Sequence, residues 1–190
     1  MEAFLVSTGI VALAEMGDKT QLLSLLLAAR FRRPGPIVLG ILLATLVNHA
    51  FAGAIGAWLT RYVGADTMRW VLAASFIAMA VWMLIPDKLD KPDSESCRLG
   101  VFGTALISFF LAEMGDKTQV ATVALAARYS AYVAVVAGTT LGMMIANVPA
   151  VLLGERVTRA VPIRVIHVVA ALIFLALGVA ALCGLGASGR

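Results

Sequence analysis

The sequence predicts an all-α membrane protein with six transmembrane helices, arranged as two inverted three-helix repeats. Three observations lead there. Hydrophobic residues make up 61% of the 190 residues and charged residues only 14%, with a mean hydropathy of +0.95, so too little polar surface remains to cover a soluble core. Six apolar segments, each near the roughly 20 residues needed to span a bilayer, are separated by polar breaks. One nine-residue stretch, LAEMGDKTQ, occurs at Leu13 to Gln21 and again, unchanged, at Leu111 to Gln119.

The segments fall at residues 3 to 28, 37 to 60, 68 to 86, 100 to 126, 131 to 153 and 164 to 185. Glu2 stands where a signal peptide would be basic, and the first segment carries the doubled stretch, so it reads as mature protein. About halfway along it sit Glu15, Asp18 and Lys19, near the bilayer midplane. On a continuous helix all three project from one face, with Ser7 and Gln21 close to the same stripe. Gly17 offers a place for the helix to loosen and free carbonyl oxygens, although glycine also serves close helix packing. Arg30, Arg32 and Arg33 with Pro34 and Pro36 close the turn. Segment two holds Asn48 and His49, read first as interhelical hydrogen-bonding residues and second as ligands. Trp58, Tyr62 and Trp70 flank the next connection, as rings at a membrane interface do.

After Pro86 comes the only long polar stretch, DKLDKPDSESCR, which divides the chain into a first repeat (1–86), a solvated linker (87–99) and a second repeat (100–190). Segment four replays segment one, with Ala126, Ala127 and Arg128 matching Ala28, Ala29 and Arg30. Segment five replays segment two, with Gly138 matching Gly40, and Asn147 matching the Asn48, His49 region. Gly138 and Gly142 read as close packing, Pro149 as a kink, and segment six, with His167 at its start, as scaffold. Cys97 and Cys183 lie far apart in the pattern and form no metal-spaced cluster, so both read as unpaired thiols. Nine Lys and Arg follow segments one, three and five, against four on the opposite side. The positive-inside rule puts the nine in the cytoplasm and both termini outside. The basic residues need no nucleic-acid partner. Three spans per half is odd, so the halves enter from opposite sides, the architecture that holds a substrate at the midplane.

Intramembrane charges are costly and read as functional. Glu15, Asp18, Glu113 and Asp116, offset by Lys19 and Lys117, sum to minus two, which one divalent cation balances. Their carboxylates, with amide and hydroxyl oxygens of Thr20, Gln21, Thr118 and Gln119, are hard ligands suited to calcium, manganese or magnesium. Met16 and Met114 point away and pack. Carboxylates left without an ion in low dielectric invite protons, so the same acids can carry either metal or protons. The plain alternative is that each Lys pairs with its own Glu at i, i+4 and the stretch only locks helices together.

The doubled ExGDKT, in a six-span chain of this size with a polar middle loop, closely resembles the GDT-type calcium/cation and proton antiporters. That inverted-repeat family includes bacterial manganese exporters and Golgi manganese and calcium transporters. The resemblance implies export of Mn2+ or Ca2+ against protons through Glu15, Asp18, Glu113 and Asp116. The chain begins without the long N-terminal extension of organellar members, which suggests a bacterial inner-membrane protein. The expectation is therefore a secondary transporter and not an enzyme, with no cofactor beyond the transported ion; a homo-oligomer is compatible with it. Its rivals are a cation channel with the acids as a selectivity ring, an intramembrane metal-dependent hydrolase, and a non-transporting assembly subunit.

Overall fold

In a computed structural model, residues 1–85, 99–153 and 163–184 are described. All regular structure among them is helical: α1 (Glu2–Glu15), α2 (Lys19–Phe31), α3 (Pro34–Tyr62), α4 (Ala65–Trp82), α5 (Gly100–Glu113), α6 (Lys117–Tyr129), α7 (Tyr132–Leu153) and α8 (Ile163–Leu182). Pro86, the linker apart from Leu99, Cys97, Arg156 and Arg159 lie outside the described residues.

The continuous helices expected over residues 3–28 and 100–126 are each broken at the doubled stretch. Met16 has φ −65° and ψ 116° and Gly17 has φ 82°, while the Asp18 N–H donates to the Glu15 carbonyl at 3.1 Å. This is a type II β-turn, whose third position demands a positive φ and so a glycine. Glu113 to Asp116 repeat it: Met114 φ −63° and ψ 121°, Gly115 φ 74°, and a 3.2 Å bond from the Asp116 N–H to the Glu113 carbonyl. Glu15, Asp18 and Lys19 therefore do not share a face of one helix. The glutamates end one helix and the aspartates begin the next.

The likeness of the halves extends beyond the turns. Arg32 and Ser130, ninety-eight residues apart like the two stretches, both take the left-handed conformation (φ 53° and 48°) to end α2 and α6. α1 packs along α7, while its counterpart α5 packs along α3. A Cβ added at Gly138 would meet the Phe4 carbonyl of α1 at 2.5 Å, and one at Gly40 would meet the Leu106 N of α5 at 2.9 Å. Gly142 lies as close to α1, so the expected close-packing role of Gly138 and Gly142 holds. α4 packs on α8, where the counterparts Phe76 and Phe174 stack with ring centroids 6.3 Å apart. Counterparts α1 and α5 thus exchange partners, and counterparts α4 and α8 meet each other.

Pro34–Tyr62, Tyr132–Leu153 and Arg164–Leu182 are long and apolar enough to cross a membrane. Large apolar side chains on α3, including Leu39, Leu43, Val47 and Phe51, are exposed, as suits contact with lipid. Trp58, Tyr62 and Trp70 are also exposed. α7 runs through Pro149 as one helix.

Candidate metal centre

Each residue of EMGDKTQ takes a local task from its place in the turn. Asp18 is the N-cap of α2 and its Oδ1 accepts from the Lys19 N–H at 2.7 Å. Three residues on, Gln21 reaches back and its Oε1 accepts from the Gly17 N–H at 3.0 Å, a variant of the capping box. Gln119 does the same for Gly115 at 2.8 Å. Thr20 Oγ1 donates across the turn to Glu15 Oε2, and Thr118 Oγ1 to Glu113 Oε2 at 3.1 Å. The expected ligand roles of Gln21 and Thr20 thus meet prior engagements: Gln21 Nε2 also donates to the Ala146 carbonyl at 3.0 Å.

The turns bring the acids of both halves together. One carboxylate oxygen each from Glu15, Glu113 and Asp116 lies within 4.8 Å of the others, and all three residues are buried. Oxygens on opposite sides of a bound divalent ion are about 4 to 5 Å apart, so shifts of tenths of an ångström would let one ion touch all three. Glu15 Oε1, Glu113 Oε1 and Asp116 Oδ2 are buried with no hydrogen-bond partner among the described residues. Leaving such atoms unmatched is costly, and a cation answers all three at once. Glu15 and Glu113 also close α1 and α5, so the negative ends of two helix dipoles add to the site's attraction for cations. Asp18 is buried beside this group but outside the three-acid cluster.

The lysines do not follow the i, i+4 alternative. Lys19 Nζ lies 3.0 Å from Asp116 Oδ1, an ion pair between the halves, and Lys117 Nζ donates to the Ile85 carbonyl at 3.2 Å. The polar residues of α3 and α7 mostly tie helices together. Asn48 Nδ2 donates to the Phe110 carbonyl at 3.1 Å; Asn147 Oδ1 accepts from Ser24 Oγ at 2.8 Å, and its Nδ2 donates to the Met143 carbonyl at 3.1 Å. His49 is buried with neither ring nitrogen hydrogen-bonded to the described residues. Sequence reasoning missed that His167 of α8 reaches the Met16 carbonyl, with Nε2 at 2.9 Å. Its placement near the start of an apolar segment was the available signal. Met114 is exposed and Cys183 is a free, exposed thiol.

A buried acidic cluster assembled from the ends of short helices, inside an apolar helical chain, defines a membrane cation transporter. Residues 3–91 and 101–187 match the family of the divalent cation/proton antiporter GDT1, and the chain belongs to that family. The family is one of transporters, not enzymes. The chain is 51% identical to a candidate manganese exporter of Vibrio cholerae serotype O1, over 95% of this chain and 90% of that one. It is 28% identical to a GDT1-like protein of Synechocystis (92% and 93% covered) and 26% identical to GDT1-like protein 3 of Oryza sativa (94% and 72%). No solved structure matches it.

Proposed function

We propose that this protein exports Mn2+, with Ca2+ as the second candidate, from the cytoplasm in exchange for protons. The observation that carries the reading is the meeting of Glu15, Glu113 and Asp116, from identical stretches of the two halves, in one buried cluster. Asp18 completes the charge, and the name of the Vibrio cholerae relative favours manganese. α1 with α2, and α5 with α6, are each too short to span alone and read as half-helices of one broken span. That gives six spans in two inverted halves, with the ion at their interface and both termini outside the inner membrane. Exchange follows because Lys19 pairs with Asp116 and not with the glutamates, so Glu15 and Glu113, buried when the ion leaves, take protons in its place.

Proteoliposomes loaded with a Mn2+-sensitive dye test this. An imposed proton gradient should drive saturable Mn2+ flux, and Mn2+ movement should carry protons the other way. Flux that ignores pH and does not saturate would overturn exchange and favour a channel. A cysteine at Ser94 should be labelled only from the cytoplasmic side and one at Ser188 only from outside; labelling of both from one face would overturn the inverted arrangement.

A further inference from the structure

The same bond is made twice at this centre, and it leaves the same atom over. In both halves a threonine five residues past the glutamate donates to Oε2, and in both halves Oε1 is buried with no hydrogen-bond partner among the described residues. The geometry points to Thr20 and Thr118 as specificity-determining residues: by engaging Oε2, they make Glu15 and Glu113 present one oxygen each to the ion. They are positioning residues, acting through the glutamates. This rests on the proposed reading that the cluster holds the transported ion.

Calcium reaches about 7 or 8 oxygen ligands by taking carboxylates edge-on, through both oxygens. A glutamate can turn edge-on here only by giving up its threonine bond, and a buried hydroxyl left without its acceptor is penalised. Smaller ions content with about six oxygens in an octahedron, Mn2+ among them, lose nothing when each glutamate offers one. The arrangement is held locally. Threonine is fixed on the first turn of α2 or α6, and the glycine turn sets how far it stands from the glutamate. Thr20 and Thr118 are fully buried, so water does not compete for either hydroxyl.

The test is the ratio of Ca2+ to Mn2+ dissociation constants, measured by titration calorimetry on the purified full-length chain in detergent. Three proteins are compared: wild type, Thr20→Val with Thr118→Val, and Thr20→Ser with Thr118→Ser. Valine keeps the shape and removes the hydroxyl; serine keeps the hydroxyl. The valine pair should lower the Ca2+/Mn2+ ratio about tenfold, roughly the discrimination one hydrogen bond supplies, while the serine pair stays within about twofold of wild type. If the valine pair does not fold, each single valine variant should shift the ratio by about threefold. Valine variants that leave the ratio unchanged, or serine variants that shift it as far, overturn the orienting role. Wild type that binds Mn2+ while the ratio stays fixed overturns this inference alone; wild type that binds neither ion overturns the proposed function as well.

Discussion

Two copies of the same nine residues fold alike and are housed differently. In both, the turn recurs with nearly the same angles and the glutamine return and the threonine bond are made again, while the side-chain cap is made by Asp18 and not by Asp116. What the two copies touch is not the same. Lys19 is 25% exposed and bonded to Asp116 of the other half, while Lys117 is 1% exposed and reaches the end of the α4 chain at Ile85. The first turn has His167 against its Met16 carbonyl; in the second, Met114 is 56% exposed. Local geometry thus belongs to the nine residues and tertiary partners to the rest of the chain. Halves that are alike in sequence and unlike in surroundings are what a transporter needs if it is to face one side at a time.

The comparison can be broken most decisively at the glutamates. Glu15→Gln and Glu113→Gln should each lower Mn2+ flux at least about a hundredfold, because each removes a charged ligand from one shared site. The double variant should be no worse, since residues that act as a unit do not add. Near wild-type flux in either single variant would leave only one half functional.

Gly17→Ala and Gly115→Ala come next. Each forces a side chain into the positive-φ position of a turn, at a cost of about 1–2 kcal/mol. Both should weaken Mn2+ binding about tenfold and lower the thermal midpoint, and the two effects should match within about twofold because the turns match. A large difference between them would show that tertiary surroundings, not the turn, hold the geometry.

The lysines should separate the copies. Lys19 occupies an oxygen of Asp116, a member of the acid cluster, and so competes with an arriving ion. Lys19→Met should tighten Mn2+ binding several-fold, roughly 1 kcal/mol, and slow turnover through late release. Lys117→Met removes a side chain only 1% exposed that also holds the Ile85 carbonyl, and should cost more thermal stability than Lys19→Met. Equal losses of thermal stability in the two variants would contradict the difference in housing.

The smallest effect is expected at His167, which has no equivalent contact in the second half among the described residues. His167→Ala removes one hydrogen bond to the first turn and should weaken Mn2+ binding about threefold, or by about 1 kcal/mol at most. His167→Gln, which can still donate, should recover much of the loss, as measured by Mn2+ titration.

Much of this fold can be read from residues alone. Apolar runs and the exact repeat identify helices and halves, because both depend on local composition. Glu15, Asp18, Glu113 and Asp116 stand out because charge inside an apolar run is costly wherever it ends up. The break at Gly17 was open, since a glycine between two acids fits a packing contact as well as a turn. The Met-Gly-Asp order favours a type II turn followed by an N-cap, and Gln at the third helical position strengthens it. Thr20 and Gln21 stand out as polar residues in an apolar run, but their partners in the fold, the Glu15 carboxylate and the Gly17 N–H, follow from the turn. The Lys19 to Asp116 pair joins residues ninety-seven apart, and His167 meets Met16 from the last helix. Pattern within a segment carries no record of such contacts, because they depend on how the halves dock.

The central claim is that two identical stretches make one ion site. Counting Mn2+ bound per chain by titration calorimetry, with Mn2+ electron paramagnetic resonance on the same samples, tests it most directly. The account predicts one tight Mn2+ per wild-type chain, a single spectral species, and loss of that site in Glu15→Gln and in Glu113→Gln alike. Two tight Mn2+ ions per chain, with each variant losing one and keeping the other, would contradict it.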